Sequence, residues 1–139
     1  MVAGTRAVLA IIVMLALTSC ASQEDVITKD VEQAVRDFID VRELKSVSEI
    51  PSANRDSWEA IDQNFILYKT RKQTYLVEFV RRCRELDEYP VVPDVRTTPN
   101  KIYTRFDTIR GCRIANAFAL SEGELAEIEA LGESPGSRN

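Results

Sequence analysis

The 139-residue sequence contains no histidine. That removes the commonest general base and the commonest metal ligand from any mechanism this chain could run. Its three cysteines include no Cys-x-x-Cys pair, so the usual sequence mark of a dithiol redox enzyme is missing. Long hydrophobic runs are missing too: the uninterrupted apolar stretch from Ala7 to Leu17 would rise about 16 Å as a helix, against a hydrocarbon core of about 30 Å. Basic excess is absent, with 18 Lys and Arg against 22 Asp and Glu, which argues against general nucleic-acid binding. Glu78 and Asp107 have no histidine, serine motif or second carboxylate at a diagnostic spacing. No catalytic residue, no cofactor and no metal site is therefore expected, and the reaction, if there is one, is not readable from this chain.

The amino terminus is informative. Arg6 precedes the apolar run, and Leu17-Thr18-Ser19-Cys20 follows it, which is the layout of a cleaved secretory leader. The cysteine at the cleavage point resembles the lipobox of bacterial lipoproteins. That resemblance implies a leader over residues 1–19, a thioether-linked diacylglycerol on Cys20 and a further acyl chain, palmitate or similar, on the new amino terminus. More than one chain, at about 0.8 kcal/mol per buried methylene, makes a stable anchor. Ala21 stands where an aspartate would favour retention in the inner membrane, so the expected location is the outer membrane, facing the periplasm.

Beyond the leader the expected organisation is a lipidated tether over 20–29, one domain with a single core over 30–132, and a disordered tail over 133–139. Charge is unevenly spread along it. Residues 65–113 carry eleven basic against six acidic side chains, whereas 20–64 carry five against eleven and 114–139 one against five. The flanks can neutralise the centre by packing beside it. Alternatively the centre offers a basic face to a polyanion such as lipopolysaccharide phosphate, with binding that weakens as salt rises.

Periodicity predicts an α+β domain: an antiparallel sheet of four or five strands with a helix at each end. Val31, Ala34, Val35, Phe38 and Ile39 recur at helical spacing, with Thr28 or Asp30 as the expected N-cap. The stretch from Val41 to Ile50 reads as extended, and Trp58 is expected to cover an edge of the core. Residues 64–70 and 74–80 read as a hairpin in which Tyr75, Val77 and Phe79 face the core. A helical turn is expected at 81–86, then a loop holding Pro90, Pro93 and Pro99. Residues 101–109 alternate as one half-buried strand with Ile102, Thr104 and Phe106 inward and Tyr103, Arg105 and Asp107 outward. After a turn at Arg110-Gly111, Cys112, Ile114, Asn116, Phe118 and Leu120 fall on one strand face, where Asn116 needs a hydrogen-bonding partner if buried. The last helix has a capping box, Ser121 with Glu124, and an apolar stripe of Leu125, Ile128 and Leu131 before Gly132.

With Cys20 lipidated, Cys83 and Cys112 remain in an oxidising compartment, and a structural disulfide between them is the default. Free thiols and a redox-active pair are the other states open to them. Joining the two would gather Arg81, Arg82, Arg84, Arg110 and Arg113 into one neighbourhood, a candidate anion site. The opposing reading has these arginines solvated or paired with Glu85, Asp87 and Asp107.

Trp58, Tyr75-Leu76-Val77, Cys83, Phe106-Asp107 and Cys112-Arg113-Ile114 resemble the pattern of an uncharacterised family of small Gram-negative envelope lipoproteins, known as a domain of unknown function. The resemblance covers residues 56–120 and implies envelope placement and paired cysteines, not an activity. The expected function is a lipid-anchored, periplasm-facing envelope protein with a structural or binding role. Its partners are the membrane, through the anchor, and another envelope protein or an anionic envelope component; nucleic acid is not among them. The contrasting expectation is a hydrolase or transferase with an unrecognised carboxylate site.

Overall fold

The computed structural model describes residues 23–53, 56–87 and 93–132, with side chains from Asp30 onward within the first helix. The leader, Cys20 and the tail expected over 133–139 lie outside the described residues. The order is α1 (Gln23–Val41), β1 (Glu49–Pro51), β2 (Ser57–Ala60), β3 (Phe65–Lys69), β4 (Thr74–Phe79), a 3-10 turn (Arg84–Leu86), β5 (Lys101–Tyr103), β6 (Thr108–Ile109), β7 (Cys112–Leu120) and α2 (Glu122–Gly132). Five strands form one sheet in the order β2-β3-β4-β7-β6, all antiparallel, and β1 pairs with β5 in a second, two-stranded sheet. The α+β class, the five-stranded sheet and the two flanking helices are as the sequence predicts.

The hairpin β3–β4 forms because aromatic and β-branched residues fill both strands while Thr70 ties the turn, its hydroxyl accepting from the Gln73 N–H at 3.0 Å. Its outer neighbours then bury it on both faces, since Phe65, Ile66, Leu67 and Tyr68 are all buried in succession. The expectation of a single core is corrected: the sheet separates two. On the helical face Val31, Val35 and Phe38 of α1 and Ile128 of α2 pack on Phe65, Leu67, Leu76, Phe118 and Leu120. On the other face Ile66, Tyr68, Tyr75, Val77 and Phe79 meet Ile50, Leu86, Ile102, Ile109, Ile114 and the two cysteines. Tyr75, Val77 and Phe79 do face a core, but Leu76 faces the other one.

Three further corrections have identifiable causes. The first helix is already formed at Gln23, so neither Thr28 nor Asp30 caps it, and helix replaces much of the expected tether. It ends where Glu43 takes a left-handed backbone, φ 50°. The single row from Cys112 to Leu120 does not exist. Glu78 pairs with Asn116 but Phe79 pairs with Ile114, leaving Ala115 as a bulge. One extra residue reverses the alternation, so Asn116, Phe118 and Leu120 face the helices while Cys112 and Ile114 face the opposite core.

The expected strand over 101–109 is broken into β5, a turn and β6. Arg105 sits at φ 72°, Phe106 is turned out with 78% of its surface exposed, and Asp107 is turned in with 1% exposed. Period-2 reasoning placed Phe106 and Asp107 the other way round. The cause is local hydrogen bonding: Asp107 Oδ2 accepts the Tyr103 N–H at 2.7 Å, and Oδ1 accepts the Thr97 N–H and hydroxyl at 2.8 and 2.6 Å. A carboxylate that collects three donors outweighs the strand pattern.

At the carboxyl end the predicted capping box is present, Glu124 accepting from the Ser121 N–H and hydroxyl at 2.7 Å. Ile128 is fully buried, with Leu125 and Leu131 packed against the same core. The helix includes Gly132 as its last described residue rather than stopping before it.

Candidate functional site

The cysteines come together as expected. Cys83 follows the end of β4, Cys112 opens β7, and the two form a disulfide with Cα atoms 5.8 Å apart, both essentially inaccessible to solvent. Glu85 Oε2 lies 3.1 Å from Cys112 Sγ, making Cys83, Glu85 and Cys112 a group whose donor atoms fall within 4.8 Å of one another. Thiolate is the metal-binding form of cysteine, so this trio could hold an ion only after reduction.

The disulfide brings arginines into its neighbourhood, and they divide into two sets. Arg81 pairs with Glu85 at 2.8 Å; the backbone N–H of Glu85 itself, and then this contact, hold that carboxyl below its usual range. Arg110 turns inward: its guanidinium donates to the carbonyls of Glu85 and Leu86 at 3.1 and 3.3 Å and lies over the Trp58 ring at 5.8 Å. Arg110 occupies φ 53° and Gly111 φ 79°, the two left-handed positions of a tight hairpin turn joining β6 to β7. Only Gly does so without steric cost, so the Arg110 side chain holds the 3-10 turn to β2 from a strained position. Arg82, Arg84 and Arg113 are exposed. Arg113 donates to the Arg105 carbonyl at 3.1 Å, which ties its guanidinium to the β5–β6 turn. Trp58 is half-buried against the core of the disulfide face and covers an edge of it, as predicted.

Two polar clusters were not legible in the sequence. Beneath the 93–97 segment, Ser52 Oγ and the Tyr68 hydroxyl lie 3.1 Å apart, and the hydroxyl is 3.2 Å from Asp56 Oδ2. Arg96 reaches the same two oxygens, Ser52 Oγ through Nη1 and the Tyr68 hydroxyl through Nη2 at 3.3 Å, while pairing with Asp94 at 3.0 Å. Burial pushes the Tyr68 phenol up, against the pull of Ser52 and Arg96, so it stays protonated. The hydroxyls, guanidinium and carboxylates come from three separate segments, 52–56, β3 and 94–96, and no spacing in the chain announces them. Chemically the cluster pins two loops to the sheet.

The second cluster joins α1 to the sheet. Glu78 accepts from Arg36 and, at 2.8 Å, from Asn116. Glu32 accepts from Arg36 at 2.9 Å and from Asn64 at 2.8 Å. Asn116 thus has the partner its position required.

With an all-antiparallel five-stranded sheet, two helices on one face and a disulfide on the other, the chain is a small α+β domain closed by one cross-link. Over residues 3–130 it matches the family described as a family of unknown function, DUF6491, and it belongs to that family. Neither the comparison with curated proteins nor that with solved structures finds a match. Among the described residues no helix is long and apolar enough to cross a membrane.

Proposed function

We propose that this chain is a lipid-anchored envelope protein facing the periplasm from the outer membrane, with a structural or binding role directed at an anionic envelope component. The observation that carries the reading is the cysteine arithmetic: Cys83 and Cys112 are paired inside the domain, leaving Cys20, directly after the leader, as the single cysteine outside that bond. A buried structural disulfide suits an oxidising compartment, and a lone cysteine at a cleavage point suits lipidation. The family match begins at residue 3 and therefore takes in the leader. The binding role rests on Arg82 and Arg84, exposed on either side of Cys83, and on Arg113, exposed beside Cys112 with its guanidinium on the Arg105 carbonyl. Arg81 adds to them, and Arg110 serves the fold beneath.

The test is mass spectrometry of the amino-terminal peptide from isolated envelopes, with density fractionation of the two membranes. The expected result is a chain beginning at Cys20, carrying a diacylglycerol and an amide-linked acyl group, in the outer-membrane fraction. Cys20→Ala should abolish the modification and release the chain from that fraction. An unmodified Cys20 in wild-type envelopes would overturn the anchor. Retention on immobilised anionic glycolipid that is unchanged by Arg82→Glu with Arg113→Glu would overturn the binding role.

A further inference from the structure

We infer that the turn carrying Arg105 and Phe106 is a membrane-contact element that seats this domain on an anionic lipid surface. Phe106 is exposed over 78% of its surface, although the sequence has few aromatic residues to spare and every other phenylalanine is buried. It is put there by construction: Arg105 at φ 72° and the three hydrogen bonds to Asp107 force the ring outward. A side chain held out against the strand pattern by strained backbone points to use.

Its surroundings identify the occupant. Arg105 is exposed on the turn itself, and Arg113 reaches it through the Arg105 carbonyl. Val80, 63% exposed, lies beside Arg113, donating its N–H to the Arg113 carbonyl at 3.0 Å. The result is one exposed aromatic ring flanked by two arginines, with a second exposed apolar side chain beside Arg113. Phe106 and Arg105 form one wall of an open cleft that Ser46, Val47, Ser48 and Asn116 complete. Among the acidic groups near the turn, Asp107 is hydrogen-bonded to Thr97 and Tyr103, Glu78 to Arg36 and Asn116, and Glu49, opposite Tyr103, to Lys101. An amphipathic tip of this kind suits the boundary between acyl chains and phosphate headgroups. A protein partner fits less well, because a stable interface buries about 800 Å² on each side around several large anchors, and here one aromatic ring stands alone.

Placement agrees. Phe79 pairs with Ile114, Phe79 N–H donates to the Asn64 carbonyl, and Arg105 N–H donates to the Ile114 carbonyl, so Asn64 and Arg105 lie in one row across one end of the sheet. Glu32 brings α1 onto the domain at Asn64, and α1 starts three residues after Cys20. The nine helical steps from Gln23 to Glu32 rise about 14 Å. A lipid on Cys20 would therefore hold this end of the sheet near the bilayer. That placement rests on the anchored reading; the chemistry of the turn does not.

The experiment uses the full lipidated chain in vesicles of phosphatidylcholine, with or without phosphatidylglycerol, and lipids brominated near the headgroup. Phe106→Trp in a Trp58→Phe background reports contact by quenching of the introduced indole. Quenching is expected in the anionic vesicles and not in the neutral ones. Each arginine at an anionic surface contributes about fivefold, so Arg105→Gln with Arg113→Gln should lower the docked-to-undocked ratio about 30-fold. Hydroxyl-radical footprinting of the unsubstituted chain gives the same information without a variant, through protection of Phe106 by anionic vesicles. An indole unquenched in both vesicles, with Phe106 equally labelled in both, overturns the inference. So does protection that requires other envelope proteins, which would assign the turn to a protein partner. If Cys20 proves unmodified while the chain still docks through this turn, the anchor fails and the inference stands; lipidated Cys20 with an unquenched indole gives the reverse.

Discussion

Replacing Asp107 tests how this domain's irregular half is held. Its side chain is 1% exposed and receives three hydrogen bonds, from the N–H groups of Thr97 and Tyr103 and the Thr97 hydroxyl. Asp107→Ala leaves those donors without their acceptor and opens a small cavity. Each unsatisfied buried donor costs about 1–3 kcal/mol, and the Thr97 hydroxyl can turn elsewhere, so the sum is about 3–4 kcal/mol. For a domain of roughly 100 residues that corresponds to a fall in Tm of about 12–30 °C. Urea unfolding followed by Trp58 fluorescence measures it. Asp107→Asn keeps the shape but turns an amide N–H₂ towards donors, and should lose about 2 kcal/mol.

The pH dependence provides an independent check. Burial pushes the Asp107 carboxyl up, but the hydrogen bonds from Thr97 and Tyr103, with help from the Arg96 charge, outweigh it and hold the carboxyl below its ordinary value. A carboxyl depressed in the folded state contributes stability that is present above its unfolded pKa of about 3.9 and disappears as pH falls through the lower, folded value. The gap between wild type and Asp107→Asn should therefore be constant near neutrality and shrink below about pH 4. A loss under 1 kcal/mol for Asp107→Ala, or a gap to Asp107→Asn that ignores pH, would refute the reasoning.

Removing the disulfide with Cys83→Ala and Cys112→Ala frees a loop spanning 29 residues of separation. Loop-closure entropy sets the loss at about 3.6 kcal/mol, readable as a lower urea midpoint, with little change under reducing agent in the variant. Deleting Ala115 removes the bulge and should turn Cys112 away from Cys83, so thiol counting on the unreduced deletion variant should find two more free thiols than in the parent. Arg105→Gly relieves the left-handed backbone at φ 72° and should raise stability by about 0.5–1 kcal/mol, while Gly111→Ala, at φ 79°, should lower it by about 1 kcal/mol.

What the sequence determined by itself is whatever depends on neighbours in the chain. The β3–β4 hairpin, the 3-10 turn after Cys83, the capping box at Ser121 and the stripe through Ile128 are local patterns, and each is found where the residues predict it. The α+β class followed from them, and the disulfide from cysteine parity. Tertiary structure decided the rest, for two physical reasons. A single bulge at Ala115 exchanges faces for every residue before it, so strand alternation assigns Cys112 and Ile114 to the wrong core. Buried hydrogen bonds also override alternation: Asp107 goes inward because donors from Thr97 and Tyr103 converge on it, and Phe106 goes outward as a consequence. The Ser52–Tyr68–Arg96 cluster, the inward set of Arg110 and the exposed ring of Phe106 all depend on segments far apart in sequence, which only the folded chain brings into register.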